Sequence, residues 1–177
     1  MNMGRIVNVK AWIGALVNPT KTFRKEKKYA TLWNGIKDIA IGLLIAAAIA
    51  FIGAVLTGVA SSLTLPSLLT SLLTGFVILL VYGVLFYLVA LLLGSKGSLG
   101  MQLGYMSMII APLFIIGTIL NLIPGVGGVL NMILTIYGLY PLTVLLMETH
   151  KFGLGKAIIS WLIPAILLAL MGLSLNI

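Results

Sequence analysis

Long runs without a charged residue dominate this chain and limit its fold. Asp, Glu, Lys and Arg are absent from the 57 residues between Asp38 and Lys96 and from the 51 residues between Lys96 and Glu148. A final uncharged run covers the 21 residues 157–177. One helical crossing of a bilayer takes about 20 residues, so each of the first two runs suits a pair of helices and the third suits one. The sequence therefore predicts five transmembrane helices.

Helices are the spanning structure that these runs favour. The hydrocarbon core of a bilayer offers no hydrogen bonds to a bare backbone, and the sequence lacks the alternation typical of barrel strands. The expected fold class is an all-α polytopic membrane protein, a bundle of five helices preceded by a short amphipathic segment. The predicted division is a cytoplasmic segment 1–37 and a membrane domain 38–177, with spans at about 39–60, 68–93, 99–123, 126–147 and 157–177.

The few charges predict an orientation. Eight of the eleven Lys and Arg residues lie in the first 37 positions, and the other three are Lys96, Lys151 and Lys156. All of them fall on one side of a five-span arrangement, whereas the opposite turns, around 61–67 and 124–128, and the C-terminus hold none. By the positive-inside rule, we expect a multi-pass protein of the cell membrane with its N-terminus in the cytoplasm and its C-terminus outside.

Composition excludes several classes of protein. With 61% hydrophobic residues, 8% charged residues and a mean hydropathy of +1.22, the chain does not suit a soluble globule. The net charge of +8 would suggest a nucleic-acid partner in a soluble protein. Here it is concentrated beside the first span, where an anionic leaflet attracts each basic residue by about 1 kcal/mol, so lipid headgroups are expected instead. The chain has no Cys, which excludes disulfides and thiolate metal sites.

The N-terminal segment divides into two short amphipathic pieces. In a first helix, the apolar residues Ile6, Val9, Ile13 and Leu16 would share one face, as in an interfacial helix. The Asn-Pro pair that follows favours a second helix starting near Pro19. This second piece carries a basic cluster that is either a solvated flank of the first span or a surface for anionic lipids or a partner: Lys21, Arg24, Lys25, Lys27 and Lys28.

Small residues recur at a spacing of four in the first predicted span. They are Gly42, Ala46, Ala50, Ala54 and Gly58. Such a ladder allows close helix approach, because packing rather than hydrophobicity drives helix association in lipid. Gly and Ala are frequent in membrane helices, but five in register favour a packing seam. Its partner is either another helix of the chain or a second copy.

The chain carries few groups suited to catalysis. Glu148 and His150 are two residues apart, and two ligands do not make a metal site, so we interpret them as part of a polar loop that ends the fourth span. Glu26, Asp38 and Glu148 are expected at or outside the membrane interface, which leaves proton or sodium coupling without a carrier. We therefore expect neither an enzyme nor a bound cofactor.

The polar residues expected within the membrane are neutral. Asn121 and Asn131 flank an outer turn at similar predicted depth, and Thr135 lies one helical turn beyond Asn131. Such groups usually form hydrogen bonds between helices. The sharper alternative is a polar permeation path lined by the three side chains.

An ordered set of short motifs carries a family resemblance. The set comprises NPTKTF before the first span, the turn GSKGS, Pro112, the stretch NLIPGVGGVLNMI and the closing ETHKFGLGKAI. From about Asn18 to Gly172 the chain resembles short prokaryotic members of the Yip family, the Ypt-interacting membrane proteins. The resemblance implies a non-enzymatic membrane protein. Eukaryotic members bind prenylated Rab-type GTPases and one another in traffic between endoplasmic reticulum and Golgi, through a longer N-terminal region.

This chain departs from the eukaryotic pattern. Its N-terminal segment has about 37 residues, and LWNGIKDIAIG contains no counterpart of the Asp-Leu-Tyr-Gly-Pro type motif. The expected function is a membrane scaffold or adaptor that acts through helix packing and a basic cytoplasmic surface, in membrane organisation or traffic. Its expected partners are anionic lipids and either a second copy or another membrane protein. The alternative is a small-solute channel or transporter lined by the neutral polar residues of spans 3 to 5.

Overall fold

The computed structural model describes residues 8–57 and 65–170. Within these ranges the chain is helical and contains no strand, which confirms the predicted all-α class. A single 3-10 turn, Lys27–Tyr29, follows the second helix. The helices are α1 Val9–Val17, α2 Pro19–Glu26, α3 Leu32–Leu56, α4 Leu65–Leu92, α5 Leu99–Asn121, α6 Gly127–His150 and α7 Leu154–Leu170.

Four of these helices are long and apolar enough to cross a bilayer. They are α3, α5, α6 and the Leu73–Leu92 part of α4. The described part of α7 has 17 residues, which is about 26 Å at 1.5 Å per residue and at the lower limit for a crossing. The chain is therefore an integral membrane protein with several spanning helices.

Side-chain caps explain where several helices begin. Thr31 Oγ1 accepts a hydrogen bond from the Asn34 backbone N–H at 3.2 Å, so α3 starts ahead of the uncharged run rather than within it. Ser98 Oγ caps α5 in the same way, by accepting from the Met101 N–H at 3.3 Å. At the C-terminal end of α6, Lys151 adopts the left-handed conformation, with φ 59°, and the helix ends there.

Helix α5 forms the centre of the bundle. It is packed between α3 and α6, while α7 bridges α6 and α4. The largest fully buried side chains of α5, Tyr105, Met106 and Met108, lie in the half of the helix near its start. Helices α1 and α2 pack on the same half of the bundle, against α5 and α6. The hydrophobic core therefore extends from the spanning helices into the N-terminal segment.

The predicted packing seam of α3 faces α5 of the same chain. Gly42, Ala46 and Ala54 are buried and Ala50 is half-buried, whereas Gly58 lies outside the described residues. A Cβ added at Gly42 would lie 2.6 Å from the Cβ and 2.8 Å from the Cα of Ala111. At Gly53, a Cβ would collide with the Leu122 side chain. Because Gly42 and Gly53 have no side chains, α3 can lie in close contact with α5.

Candidate functional site

Charged residues near the ends of the long helices lie at one end of the bundle. Because successive spanning helices run in opposite directions, this end collects the starts of α3, α5 and α7 and the ends of α4 and α6. Lys37, Lys96, Glu148 and Lys156 all fall there. Lys156 Nζ also donates to the Leu93 carbonyl at 2.8 Å, so α7 and α4 are joined at this level. We call it the charged end.

Helix α2 is attached firmly at the charged end. The Tyr105 hydroxyl donates to the Phe23 carbonyl at 2.6 Å, and the two rings lie 4.7 Å apart. Arg24 forms an ion pair with Glu148, with Nη2 at 2.7 Å and Nε at 2.9 Å from Oε1. This hydrogen bond and the negative charge of Glu148 raise the pKa of Arg24. Helix α2 is thereby held against both α5 and α6.

The four lysines of the predicted basic cluster lie on the outer surface of the docked α2 and of the turn that follows it. Lys21, Lys25, Lys27 and Lys28 are exposed. Lys28 Nζ lies 4.8 Å from the centre of the Tyr29 ring, which orients that lysine. We call these four lysines the basic surface. Arg24 differs from them because its charge is engaged by Glu148.

Helix α1 is docked on the bundle instead of lying free. Trp12 and Leu16 are buried, and the Tyr137 hydroxyl donates to the Leu16 carbonyl at 2.7 Å. Tyr137 lies about 20 Å along α6 from the last residue of that helix. The residues predicted to share one apolar face therefore differ in exposure: Leu16 is buried against the bundle, whereas Val9 and Ile13 are exposed. Val17 is exposed as well. Ile6 lies outside the described residues.

A chain of buried hydrogen bonds links α4, α5 and α6. His150 is only 1% exposed, with Nδ1 2.5 Å from Ser95 Oγ and Nε2 2.8 Å from Gln102 Oε1. Gln102 Nε2 donates to the Gly83 carbonyl at 2.8 Å, so its Oε1 is the acceptor for the His150 Nε2–H. The Ser95 hydroxyl then donates to Nδ1 and accepts from the Gly97 N–H at 3.0 Å. The network assigns His150 as the neutral Nε2–H tautomer.

One polar residue departs from its expected position, and a second is more buried than the sequence indicates. His150 was interpreted as part of a polar loop, but it is the last residue of α6 and is buried in this network. Asp38 is 5% exposed in the contact between α3 and α5, with Oδ2 3.4 Å from Ser107 Oγ. Packing of neighbouring helices over these side chains, which the local sequence does not encode, accounts for the burial of both.

The neutral polar residues Asn121, Asn131 and Thr135 lie toward the end opposite the charged end. Asn131 Nδ2 donates to Asn121 Oδ1 at 2.5 Å and to the Gly117 carbonyl at 3.1 Å. The Thr135 hydroxyl donates to the Asn131 carbonyl at 2.9 Å, within its own helix. The two asparagines are thus brought together and join α5 to α6, while Thr135 remains exposed beside them.

A cavity of about 620 Å³ lies between α4, α5, α6 and α7. Its walls are mostly aliphatic and aromatic, and they include Phe86, Met106 and Trp161. The Trp161 indole N–H donates to Thr143 Oγ1 at 3.0 Å, which holds the ring in place. Toward the end opposite the charged end, the cavity is also lined by Asn121, Asn131 and Thr135. The arrangement has the size and the mixture of groups typical of a small-molecule pocket.

An apolar cavity of this kind suits an apolar molecule better than water. The cavity is partly open to the surroundings of the bundle, and its walls present far more apolar than polar surface. Water gains few hydrogen bonds from such walls. The cavity therefore favours an apolar molecule.

The sequence offered no direct signal for either the hydrogen-bond network or the cavity. Ser95 and His150 are separated by 55 residues, and Tyr105 and Phe23 by 82. Glycines at 83 and 97 are local hints to the network, since each lies where another helix approaches closely. Over residues 8–57 and 65–170, no group of three or more His, Asp or Glu residues is placed to hold a metal ion.

Comparisons with known proteins agree with the family resemblance. A family model, the Yip1 domain, matches residues 13–175 and so covers most of the chain. Searches of curated proteins and of solved structures found no match. The matched region begins within α1, at Ile13, and includes α2.

Proposed function

Since the chain belongs to the Yip1-domain family, we propose that it is a non-enzymatic membrane scaffold or adaptor that gathers anionic lipid headgroups at its basic surface. The observation that carries this proposal is the attachment of α2 through Phe23 and Arg24. A flexible basic tail loses conformational entropy when it binds, whereas the lysines of α2 and of the 3-10 turn that follows it are already in place.

Charge and position support lipid headgroups as the ligand. The basic surface adjoins the docked helix α1, whose exposed residues Val9, Ile13 and Val17 suit contact with lipid. Each lysine near an anionic leaflet contributes about 1 kcal/mol. By the positive-inside rule the charged end faces the cytoplasm, where anionic lipids are concentrated. The seam of α3 is used within the chain, so association with another copy or another membrane protein would involve a different face.

Lipid retention by the full chain tests the proposal. The protein is reconstituted in nanodiscs of mixed neutral and anionic phospholipids, extracted into mild detergent, and its retained lipids are quantified by mass spectrometry. We expect the wild type to retain anionic lipids in excess of their share. The variant K21Q/K25Q/K27Q/K28Q should lose this excess, and so should the wild type in about 1 M salt, where the Debye length falls to roughly 3 Å.

The matched control removes the same number of charges elsewhere. The variant K10Q/K37Q/K96Q/K151Q should retain most of the anionic excess, because those lysines lie outside the basic surface. An equal loss in both variants would assign the effect to net charge, and no loss in either would refute the proposed role of the surface.

The alternative function, a small-solute channel or transporter, has less support. Asn121 and Asn131 bond to each other, Thr135 bonds to its own helix, and the cavity beside them has mostly apolar walls. A polar solute would lose its hydration there without enough compensating hydrogen bonds. Flux of small polar solutes into proteoliposomes above the protein-free background would instead favour the transporter.

A further inference from the structure

The cavity exists because small residues from four helices face the same space. Gly75 of α4, Gly117 of α5, Gly138 of α6, and Ala165 and Ala169 of α7 all line it. A larger side chain at Ala165 or Ala169 would fill part of the volume, whereas the missing side chains of Gly117 and Gly138 allow α5 and α6 to approach closely beside it. The small residues therefore keep open a space that the remaining walls, largely aliphatic and aromatic, make apolar.

We propose that this cavity is a binding site for one acyl chain of a membrane lipid. On α5, the lining residues extend from Met106 to Asn121, which is about 22 Å along the helix. One leaflet of the hydrocarbon core is about 15 Å thick, so the cavity is long enough for a lipid chain lying along the helices. The elongated apolar shape fits such a chain better than a compact solute.

The polar groups define where the lipid's polar part lies. Thr118, Asn121, Asn131 and Thr135 line the cavity toward the uncharged end of the bundle. Asn131 and the two threonines already donate within the bundle, so the Asn121 Nδ2 group is the donor for an ester carbonyl near the glycerol of a phospholipid, while the threonine oxygens can accept from a lipid hydroxyl. A charged headgroup finds no opposite charge among these four lining residues. The site is thus expected to select for the chain and the glycerol region and to tolerate different headgroups.

This site is independent of the basic surface. The basic surface would bind headgroups by charge at one end of the bundle, whereas the cavity would bind a chain by apolar contact between the spanning helices. Salt should weaken the first and leave the second unchanged. The two proposals can therefore fail separately.

Trp161 provides a direct probe because its ring lines the cavity. In the full chain with W12F and W33F, Trp161 is the only tryptophan, and its fluorescence is measured in detergent micelles with increasing amounts of a phospholipid whose acyl chains are brominated. Bromine quenches only indoles with which it is in contact. We expect quenching that saturates at a low mole fraction of lipid and does not change with salt.

Substitutions that fill the cavity provide the decisive comparison. A165F should raise the lipid concentration at half-saturation by at least about tenfold. A169F is a second cavity-filling variant with the same expected result, and it replaces A165F if A165F aggregates in size-exclusion chromatography. I166F is the matched control, because Ile166 is 49% exposed and lies next to Ala165 without lining the cavity. It should leave the half-saturation point unchanged.

Two results would overturn the proposal. One is quenching that increases linearly with lipid and is the same in wild type, A165F, A169F and I166F, which is the behaviour of lipid at the outer surface. The other is native mass spectrometry of the wild type that shows no retained phospholipid under conditions that preserve the fold. Retention of one phospholipid per chain, lost in the cavity-filling variants and kept in I166F, would support it.

Discussion

At the scale of single residues, the buried chain through Ser95, His150 and Gln102 should contribute strongly to stability. Gln102 is fully buried and spans the space between His150 and the Gly83 carbonyl. Gln102→Leu keeps a similar shape but leaves the His150 Nε2–H without its acceptor, and an unpaired buried polar group costs about 1 to 3 kcal/mol. We expect a lower midpoint of thermal unfolding, measured by circular dichroism in detergent.

The neighbouring residue Thr149 supplies the control. Its hydroxyl is buried, and within the described residues it has no hydrogen-bond partner. Thr149→Val removes this unpaired group at nearly constant volume, so the midpoint should stay the same or rise. If Gln102→Leu and Thr149→Val changed the midpoint equally, the network would have no special contribution to stability.

At the scale of elements, the contact of α3 with α5 depends on the missing side chain of Gly42. Gly42→Ala would place a methyl group 2.6 Å from the Ala111 Cβ, and overpacking of this kind costs about 1 to 3 kcal/mol. Adding Ala111→Gly should recover part of the loss, because the second change reopens the space. Thermal unfolding of the two single variants and the double variant gives the coupling energy.

A matched pair of identical substitutions isolates the effect of the seam. Ala54 is 7% exposed and faces the bundle, whereas Ala48 is exposed on the same helix. Ala54→Leu should lower the unfolding midpoint and Ala48→Leu should not. Additive effects of Gly42→Ala and Ala111→Gly, together with equal tolerance of leucine at both alanines, would show that close packing of α3 on α5 is unimportant.

At the scale of the whole molecule, the segregation of charge predicts the orientation of the bundle. The chain has no Cys, so single cysteines can be introduced as labels. Lys96 and Lys151 are exposed at the charged end, and Gly128 is exposed at the other, where an added Cβ meets no atom within 4 Å. We expect Lys96→Cys and Lys151→Cys to react with an impermeant maleimide only from the cytoplasm and Gly128→Cys only from outside.

Labelling in intact cells and in inverted vesicles distinguishes the outcomes. Reaction of Lys96→Cys and Gly128→Cys from the same side would contradict the arrangement of α5 as a spanning helix. Reaction of all three from the reverse sides would preserve the fold but refute the positive-inside orientation, and with it the cytoplasmic position of the basic surface.

The sequence by itself determined the class of the fold and the segregation of charge. Both properties are local, because the length of an apolar run sets whether a helix can span, and the position of each lysine in the chain sets the end at which it lies. The small-residue ladder of α3 was also visible, since side chains four residues apart share a helix face. None of these inferences requires knowledge of a partner helix.

Only the tertiary structure decided which surfaces meet. The seam of α3 could have faced another copy, but it faces Ala111 of α5. His150 belongs to a buried network because Ser95 approaches it from the turn after α4 and Gln102 from α5, and the cavity opens where small residues from four helices coincide. Burial and hydrogen-bond partners depend on how rigid helices fit together, and that fit is a property of pairs of distant segments, which no single segment encodes.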